Sequence, residues 1–582
     1  MTRSAVAARA VPGLRLVLSY QRRWLAKDLM AGLVLTAILV PQGMAYAELA
    51  GLPAITGLYT SVLCLVGYAL MGPSRILVLG PDSSLGPMIA ATILPLVGAD
   101  GSPTKAIALA SMLALLVGGT MILAGVARLG FVADLLSKPT QIGYMTGLSL
   151  TILVGQLPKL FGFSVSADNL IGELKGFVKG VSSGETVGAA VAVGLFSLAV
   201  ILLIQRLAPR VPGVLVAVVL AIIATVAFDL ASHGVKLVGT LPRGVPPLTL
   251  PGVSLSDLGV LVAGALGIAL VALTDTISTA SAFAARHGTE VNADQEMIGI
   301  GTANVAAGLF QGFPVSTSGS RTAVAEQSGA KTQVAGLVGA GVILVMLVAL
   351  PGLFKDLPQP TLAAVVIAAA LSLADLAGMQ HLFAVRKAEF ALAVAAFLGV
   401  ALLGVLPGIG IAVGLSILNV FRRSWRPYTT TLGRVRGTPG FHDVAVHPEA
   451  DQLTGLVIFR FDAPLFFANT RAFREQVRSL VSANPQLRWL VVAAEPITDV
   501  DTTAADMLEQ LDEALNQQGI SLVFAELKHP VREKIDRYEL TRTIDPSHFF
   551  PTVEAAVAAF LVEMPNAGAA EPRVPSDDEE ST

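Results

Sequence analysis

The chain has 582 residues, of which 53% are hydrophobic and only 14% are charged, and its mean hydropathy is +0.70. A typical soluble protein has about 25% charged residues, so this composition excludes a soluble enzyme. The net charge of −3 does not indicate a nucleic-acid partner, and the one cysteine, Cys64, excludes a disulfide within the chain.

Basic residues precede the first apolar run. They are Arg3, Arg9, Arg15, Arg22, Arg23 and Lys27. The apolar run that follows ends without a small-residue cleavage site, so we expect no signal peptide. Residues 1–27 are predicted to form a cytoplasmic N-terminal segment.

From about Leu29 to Phe421 the sequence consists of apolar runs that are nearly free of charge. Each run has about 17–25 residues, enough for a helix to cross roughly 30 Å of hydrocarbon. Clusters of charged residues, Gly and Pro divide the region into about fourteen predicted spans, at 28–48, 55–71, 76–97, 104–127, 132–157, 186–206, 212–230, 257–284, 295–311, 314–330, 333–355, 360–379, 388–405 and 408–421. We therefore predict a polytopic α-helical membrane domain over residues 28–425.

An even number of spans places both termini on the same side of the membrane. Short cytoplasmic loops of membrane proteins are enriched in Lys and Arg. With the N-terminus in the cytoplasm, nearly every predicted inside loop carries such residues: Arg75, Arg128, Arg206, Arg286, Lys331, Arg386 and Lys387. The exceptions are three basic residues in predicted outside loops, Lys105, Lys236 and Arg243. We expect a multi-pass protein of the cytoplasmic membrane with both termini in the cytoplasm.

Two of the predicted spans begin with an extended stretch and a helix-start signal. In the third span, Gly80-Pro81-Asp82-Ser83 follows a β-like run from Arg75, and in the tenth, the segment 312–322 leads into a Ser/Gly-rich helix start. Six or seven extended residues at ~3.3 Å each place Asp82 near the bilayer midplane, and Ser318 to Arg321 reach a similar depth from the other side. Span three is the third of the first seven predicted spans, and span ten is the third of the second seven. This predicts a seven-plus-seven inverted repeat with two half-helices.

Two half-helix N-termini that face each other inside a membrane favour an anion. They offer unpaired backbone N–H groups and about half a positive charge each. Arg321 lies at the same depth, and a guanidinium inside a membrane by default marks a functional site. The alternative is a permanent ion pair of Arg321 with Asp82 or Asp275 that only seals the interior.

Two further spans carry polar side chains near this predicted site. Asp275 is near the middle of span eight, where it binds a coupling cation, with Thr276 and Thr279 as further oxygen ligands, or takes up a proton. A structural hydrogen bond between helices is the alternative. In span one, Pro41 breaks the helix and frees a carbonyl. Gln42 and Tyr46 lie four residues apart on one helix face, where they donate hydrogen bonds to the anion or only pack.

At these motifs the sequence resembles the sulfate permease (SulP) family of anion transporters. The motifs are Val40-Pro-Gln-Gly-Met-Ala-Tyr-Ala47, Gly51-Leu-Pro-Ala-Ile-Thr-Gly-Leu-Tyr59, Gly80-Pro81, Asn292-Ala-Asp-Gln-Glu-Met-Ile-Gly-Ile-Gly301 and Phe313-Pro-Val-Ser-Thr-Ser-Gly-Ser-Arg-Thr322. The resemblance spans nearly the whole chain. It implies a core domain (spans 1–4 and 8–11) that moves against a gate domain (spans 5–7 and 12–14), a substrate site between spans 1, 3, 8 and 10, and homodimers.

The resemblance also implies roles for single residues. The implied substrate pocket consists of Gln42, Tyr46, Asp82, Ser83, Ser318, Gly319, Ser320 and Arg321. Asp275 matches the acidic residue that couples transport to a proton or sodium ion in this family. We expect a sodium ion, if it is the coupling ion, to bind between Asp275, Thr279 and the carbonyls near Thr317 to Gly319. Many eukaryotic relatives have Glu at position 275, which leaves the coupling ion open. Other relatives have an apolar residue at position 82, where Asp82 would repel a divalent anion unless it is protonated or paired.

After about Thr454 the sequence alternates between short apolar strands and helices. Strands at 455–461, 489–494 and 521–524 alternate with helices that begin at Thr470, Thr503 and Pro530, which predicts a small α/β domain over residues 430–565. It resembles the STAS domain (sulfate transporter and anti-sigma-factor antagonist) that ends most SulP chains.

One residue of this domain is a candidate for regulation. Thr502 takes the position that is phosphorylated in stand-alone antagonists; the alternative is that Thr502 and Thr503 only cap a helix. Residues 566–582 are predicted to be a disordered acidic tail.

These observations predict a secondary active anion transporter that works by alternating access. Sulfate is favoured as the substrate, because a tetrahedral dianion gains from an Arg and several N–H donors. Protons are favoured as the coupling ion. A bicarbonate or dicarboxylate transporter coupled to sodium, an uncoupled anion channel or exchanger, and a sensor that reports anion binding to the STAS domain are the alternatives.

The expected partners are a small inorganic or carboxylate anion, the lipid bilayer, a second copy of the chain and a cytoplasmic partner of the STAS domain. The sequence has no Gly-rich phosphate loop, no metal-binding cluster and no nucleophile paired with a base. We therefore expect neither an enzyme nor a cofactor, with H⁺ or Na⁺ as the coupling ion.

Overall fold

The computed structural model describes residues 12–13, 19–98, 101–165, 167, 169–208 and 211–564. Contacts between Cα atoms divide the chain into two compact units, residues 1–417 and 418–582. Each unit has its own hydrophobic core. The expectations for most of the first 18 residues and for the acidic tail at 566–582 lie outside the described residues.

The first unit is built almost entirely from helices. In chain order they are α1 (Leu25–Leu49), α2 (Ala54–Met71), α3 (Gly86–Val97), α4 (Pro103–Val126), α5 (Lys138–Leu160), α6 (Leu170–Ser182), α7 (Gly188–Leu207), α8 (Gly213–Ala227), α9 (Leu255–His287), α10 (Ala293–Leu309), α11 (Gly319–Gln327), α12 (Val334–Ala349), α13 (Gln359–Leu373), α14 (Leu376–Val385), α15 (Lys387–Leu403) and α16 (Val405–Trp425). Two short strands, β1 (Leu79–Gly80) and β2 (Ser316–Thr317), precede α3 and α11.

Each predicted span contains one of these helices. By length and apolar composition, seven helical stretches among the described residues are able to cross a membrane, and α3, α8 and α12 are shorter apolar helices. The prediction of a mostly helical, apolar membrane part is therefore confirmed. The count of fourteen spans stays a prediction.

Two helices were not predicted as separate elements. The connection after α5 contains α6, whose exposed apolar residues Ile171, Leu174 and Val178 lie on one face while Phe177 packs on Phe161 with ring centroids 5.0 Å apart. A short amphipathic helix does not produce the continuous apolar run that marks a span. The span predicted at 360–379 ends early as α13, because the Asp375 side chain accepts a hydrogen bond from the Gly378 backbone N–H and begins α14.

The two short strands pair antiparallel, with Leu79 opposite Thr317 and Gly80 opposite Ser316. The prediction that a helix begins at Gly80-Pro81 is wrong, because α3 begins at Gly86. Asp82 instead forms a turn, in which its side chain accepts from the Ser84 backbone N–H and its carbonyl accepts from the Gly86 N–H. Pro87 follows in the first turn of α3, where its missing N–H leaves no helical bond unmade.

Pro41 does not break the first helix, contrary to the prediction, because α1 continues from Leu25 to Leu49 with Pro41 inside it. Pro removes one backbone N–H donor and frees the carbonyl four residues earlier, at Ala37. Helices inside membranes tolerate such a residue when neighbouring helices enclose it, and Pro41 is buried.

The second unit is an α/β domain with a mixed sheet. Its elements are β3 (Thr429–Gly433), β4 (His442–Asp443), β5 (Leu456–Phe461), α17 (Thr470–Ala483), β6 (Trp489–Ala493), α18 (Thr502–Asn516), β7 (Ser521–Ala525), α19 (His529–Arg537), β8 (Phe549–Phe550) and α20 (Val553–Glu563). The strand order is β4-β3-β5-β6-β7-β8, with β5 to β8 parallel and β3 antiparallel to both of its neighbours. Buried side chains form one apolar cluster on each face of the sheet.

The predicted alternation of strand and helix is confirmed for β5, α17, β6, α18, β7 and α19. The sequence did not indicate β3, because the run Thr429–Gly433 is rich in Thr rather than aliphatic residues. The two-residue strands β4 and β8 are too short to produce a periodic pattern.

The alternative that Thr502 and Thr503 cap α18 is wrong. Asp501 is the capping residue, and its side chain accepts a hydrogen bond of 2.8 Å from the Ala504 backbone N–H. An Asp carboxylate is among the strongest N-cap groups, which explains why it takes this position before the two threonines. Thr502 and Thr503 are both exposed at the first turn.

Candidate functional site

A cavity of about 680 Å³ lies in the first unit, between the turn before α3 and the helices α1, α5, α7, α8, α9, α11 and α13. It is lined by each candidate substrate and coupling residue predicted from the sequence: Gln42, Tyr46, Asp82, Ser83, Asp275, Thr279, Thr317, Ser318, Gly319, Ser320 and Arg321. Residues that are far apart in the chain therefore share one cavity. Their roles stay predictions.

The helix face of α1 that points to the cavity carries Gln42 and Tyr46. They are four residues apart and therefore lie one above the other on the helix. Tyr46 is buried, with 4% of its surface exposed.

Arg321 is in the first turn of α11 and is 1% exposed. Its Nη2 atom lies 3.6 Å from Oδ2 of Asp82. Among the described residues, none of the three guanidinium nitrogens has a hydrogen-bond partner. A Cβ atom at Gly80 would lie 2.9 Å from Nη1, so the absence of a side chain at Gly80 makes room for the guanidinium. Its donors are consequently available to an oxygen-rich ligand.

The start of α11 places further polar groups beside the guanidinium. Ser318 caps the helix and accepts from the Arg321 backbone N–H, and its hydroxyl lies 3.1 Å from that of Ser320. Gly319 and Ser320 are exposed. The first N–H groups of a helix lack intrahelical acceptors and carry partial positive charge, so this end of α11 suits an anion.

The turn before α3 brings two carboxylates close to one hydroxyl. Oδ1 of Asp82 accepts from the Ser84 backbone N–H at 2.9 Å and from the Ser84 hydroxyl at 2.7 Å. The same hydroxyl lies 3.3 Å from Oδ2 of Asp275 on α9. Ser84 thus links Asp82 with Asp275.

The two threonines at the predicted cation site, Thr279 and Thr317, have different surroundings. Thr279 lines the cavity one helical turn after Asp275. The Thr317 hydroxyl is buried and lies 2.8 Å from the Thr276 hydroxyl, so the two side chains satisfy each other. Asp275 and Thr279 remain as side-chain groups that could hold a sodium ion, which prefers oxygen ligands.

Several polar residues that line the cavity were not predicted. They are Ser84, Gln141, Gln205, Ser278 and Ser372. Ser278 is three residues after Asp275 and one before Thr279, and its helical spacing was the signal that could have indicated it. Gln141 and Gln205 come from α5 and α7, where single uncharged residues in apolar helices do not stand out.

The cavity extends towards the end of α7 and the start of α8, where Gln205, Val211 and Pro212 line it. At the end of α13 it is lined by Ser372 and Leu373. The predicted topology places both of these helix ends on the cytoplasmic side. The cavity therefore extends to the side that carries most of the basic loops.

Comparison with protein families identifies two matching regions. The profile of the sulfate permease family matches residues 25–396, and that of the STAS domain matches residues 447–556. A probable sulfate transporter of Mycobacterium tuberculosis is 42% identical over 550 residues, which cover 94% of this chain and 98% of that protein. High affinity sulfate transporter 2 of Stylosanthes hamata is 30% identical over 560 residues, covering 92% of this chain and 83% of that protein.

Solved structures share the fold. The murine Solute Carrier 26 family member A9 anion transporter in the inward-facing state is 24% identical, with a TM-score of 0.89 over 96% of this chain and 95% of that one. The transmembrane domain of a cyanobacterium bicarbonate transporter, BicA, is also 24% identical, with a TM-score of 0.60 over 68% of this chain and 99% of that one. The fold is thus that of a transporter with a C-terminal STAS domain.

Proposed function

This chain belongs to the sulfate permease family, and we propose that it takes up sulfate in symport with protons by alternating access. It is a multi-pass membrane protein that transports anions, and the family is one of transporters rather than enzymes. We further propose that it lies in the cytoplasmic membrane with both termini in the cytoplasm. Sulfate is proposed because the curated relatives carry that substrate in their names.

The observation that supports an oxyanion most strongly is the state of Arg321. Its guanidinium is buried beside the first turn of α11, and among the described residues its nitrogens donate no hydrogen bond. A buried charge without hydrogen bonds is costly, and an oxyanion would supply the missing acceptors. Sulfate has four oxygens and two charges, which suits several donors that converge from an Arg and a helix start.

Alternating access is supported by how closely some helices pack. The proposed core consists of α1 to α4 and α9 to α12, and the proposed gate of α5, α7, α8, α13, α15 and α16. Within the core, a Cβ at Gly57 of α2 would lie 1.9 Å from the Gly43 carbonyl of α1; within the gate, a Cβ at Gly143 would lie 2.0 Å from the Ala393 carbonyl. Such small-residue contacts hold helices together as rigid groups. The cavity lies between the two groups, where relative movement would open it to either side.

The proposed coupling group is Asp275. It faces the cavity and contacts the Ser84 hydroxyl, so a proton bound there changes the charge next to the anion site. A proton is preferred to sodium because Arg321 lines the same cavity as Asp275 and Thr279 and would repel a cation bound there. Sodium coupling through Asp275 and Thr279 is the alternative that the experiment distinguishes.

The experiment is uptake into proteoliposomes. Labelled sulfate, bicarbonate and a dicarboxylate are compared under an imposed pH gradient, an imposed sodium gradient and neither. We expect accumulation of sulfate that follows the pH gradient. Uptake that never exceeds equilibrium would indicate a channel, exchange without net uptake would indicate an antiporter, and absence of flux with intact binding would indicate a sensor.

For the second unit we propose a regulatory role. Thr502 is exposed at the first turn of α18, so a kinase can reach it, and a phosphate there would interact favourably with the helix N-terminus. The nearby Asp501 carboxylate would oppose that phosphate. Mass spectrometry of the protein from its own cells tests the proposal, with Thr502→Val as the control for site assignment. A homodimer and a cytoplasmic partner of this domain are part of the same proposal.

A further inference from the structure

The cavity contains one fixed positive charge and two carboxylates, and one carboxylate is close to the positive charge. Oδ2 of Asp82 lies 3.6 Å from Nη2 of Arg321. This distance exceeds the range of a hydrogen bond, so the contact is an ion pair without a hydrogen bond. Asp82 therefore neutralises Arg321 without using its donors.

The orientation of Asp82 is determined by its other oxygen. Oδ1 accepts two hydrogen bonds from Ser84, at 2.9 Å from the backbone N–H and 2.7 Å from the hydroxyl. These bonds leave Oδ2 directed towards Arg321. The Asp82 side chain is 14% exposed and lines the cavity, whereas the Arg321 side chain is 1% exposed.

We propose that the Asp82 carboxylate competes with the transported anion for Arg321. In this inference, which rests on the proposed function, Oδ2 holds the negative charge that a substrate oxygen would otherwise place beside the guanidinium. Asp82 is therefore a specificity residue rather than a donor to the substrate.

The balance of charges in the cavity supports this competition. With both carboxylates ionised, Asp82, Asp275 and Arg321 sum to one negative charge, and an added dianion would be repelled. Without the charge of Asp82 the sum is zero, and the whole guanidinium charge is left to the anion.

Ser84 connects this pair with the proposed coupling group. Its hydroxyl donates to Oδ1 of Asp82 and lies 3.3 Å from Oδ2 of Asp275. The carboxylate that competes with the anion and the carboxylate proposed to couple transport therefore contact the same hydroxyl.

The test is Asp82→Asn, which removes the charge and keeps an oxygen that can accept from Ser84. Binding of labelled sulfate to the full-length purified proteins is measured at one neutral pH. We expect Asp82→Asn to bind at least about tenfold more tightly than the unchanged protein. Equal or weaker binding by folded Asp82→Asn would overturn the proposal.

Two controls make the result specific. Asp257→Asn removes a carboxylate on α9 that does not line the cavity, and it should keep the sulfate affinity of the unchanged protein. If Asp82→Asn does not fold, Asp82→Glu retains the charge on a longer side chain that can approach Arg321 more closely, and it should bind sulfate more weakly near neutral pH. Tighter binding by Asp82→Glu would contradict the competition.

The outcomes also distinguish this inference from the proposed function. If none of the proteins binds sulfate, bicarbonate or a dicarboxylate, the proposal of an anion site in this cavity is wrong. The proposed competition by Asp82 is then wrong as well. If the unchanged protein binds sulfate but Asp82→Asn gives no gain, the proposed function stands and the role of Asp82 is wrong.

Discussion

Arg321 is buried in the cavity with its nitrogens unsatisfied among the described residues, and Asp82 is its ion-pair partner there. A charge in this position lowers stability unless a ligand or partner compensates for it. The alternative from the sequence, a permanent pair that only seals the interior, requires hydrogen bonds that the 3.6 Å contact does not provide. The geometry therefore favours a guanidinium that is available to a ligand.

Arg321→Ala tests the anion site directly. Removing a buried charged donor from a complex typically costs ~2–5 kcal/mol, so we expect anion affinity to fall about 30-fold or more. The protein should remain folded and extractable, because the substitution also removes an unsatisfied buried charge. Calorimetric titration measures the affinity, and an affinity equal to that of the unchanged protein would exclude Arg321 from the site.

Gly80→Ala tests the position of the guanidinium without changing its charge. A Cβ at Gly80 would lie 2.9 Å from Nη1 of Arg321, so the side chain has to shift. We expect anion affinity to fall by about tenfold, corresponding to ~1.4 kcal/mol. Gly119→Ala on α4 is the matched control, because nothing lies within 4 Å of its added Cβ. Equal losses in the two variants would show that the effect is not local to Arg321.

Asp275→Asn tests the coupling ion. If a proton on Asp275 accompanies the anion, uptake should rise as external pH falls, and the variant should lose this dependence while keeping binding or exchange. If sodium is the coupling ion, the same variant should lose sodium stimulation, and acid should inhibit the unchanged protein by competing for the carboxylate. A variant that keeps its full response to both gradients would remove Asp275 from coupling.

The sequence could indicate charged residues at the cavity more readily than neutral ones. Arg321 and Asp275 interrupt apolar runs, and a charge inside a membrane span is rare enough to attract attention. Ser84, Gln141 and Gln205 line the same cavity but are uncharged, and such residues also occur at ordinary helix contacts. Whether they face a cavity depends on how helices rotate against each other, which the local pattern does not determine.

At the scale of helices, two of the three basic residues in the predicted outside loops, Lys105 and Arg243, contact helix ends. Nζ of Lys105 donates to the Val97 carbonyl at the end of α3, and Nε of Arg243 donates to the Val348 carbonyl at the end of α12. A cation at a helix C-terminus pairs with unsatisfied carbonyls and with the negative end of the dipole. These contacts offset the topological preference for basic residues on the inside.

Lys159 makes a similar contact, but between helices of the two proposed groups. Its Nζ on α5 lies 3.1 Å from the Glu48 carbonyl at the end of α1. Both residues line a second cavity, of about 450 Å³, at the end of α1 opposite the cytoplasmic side in the predicted topology. The contact therefore joins the proposed core and gate where the outer entrance would open.

Lys159→Met should weaken this outer closure. The substitution keeps the apolar stem and removes the donor, which is worth ~0.3–2 kcal/mol at a helix end. In a Cys64→Ser background, Leu52→Cys reports access to the outer cavity by reaction with a membrane-impermeant maleimide. We expect labelling to become several-fold faster in Lys159→Met. Lys105→Met is the control, because its contact joins two parts of the core, and unchanged labelling in Lys159→Met would exclude a role in closure.

The helices were predictable to different degrees for physical reasons. Long apolar runs such as that of α4 predict helices directly. Inside a membrane a single apolar segment satisfies its backbone N–H and C=O groups by forming a helix. The start of α3 was misplaced because Asp82 stabilises a turn before the helix. The position of Pro87, and not that of Pro81, was the signal for its start.

At the scale of the whole molecule, the chain consists of two units with separate cores. The surfaces of the two units are suited to different surroundings. The first unit exposes apolar side chains such as Leu123 and Leu255, as expected for a surface in contact with lipid, and the second buries its apolar residues on the two faces of a sheet. The helix α16 continues through the boundary between the units. Each hydrophobic core is nevertheless formed by residues of a single unit.

The position of the boundary determines where the chain can be cut. The predicted domain begins at residue 430, but its alternation of strands and helices becomes visible in the sequence only after about Thr454. The structure adds β3 (Thr429–Gly433), which pairs with β5 in the interior of the sheet. A truncation at Thr454 would leave β3 without β5 and expose an unpaired strand, which promotes aggregation. A truncation after Arg426 removes β3 together with its partners and keeps α16 whole.

We therefore expect that the chain truncated after Arg426 is monodisperse by size-exclusion chromatography, whereas the chain truncated at Thr454 aggregates. The shorter chain retains every residue that lines the 680 Å³ cavity. Its sulfate affinity should lie within about threefold of the full-length value, because distant and independent parts of a protein contribute additively. Transport rate is free to change, since the STAS domain can regulate turnover without contacting the anion. Loss of sulfate binding in monodisperse truncated protein would mean that the second unit is needed to form the site, and not only to regulate it.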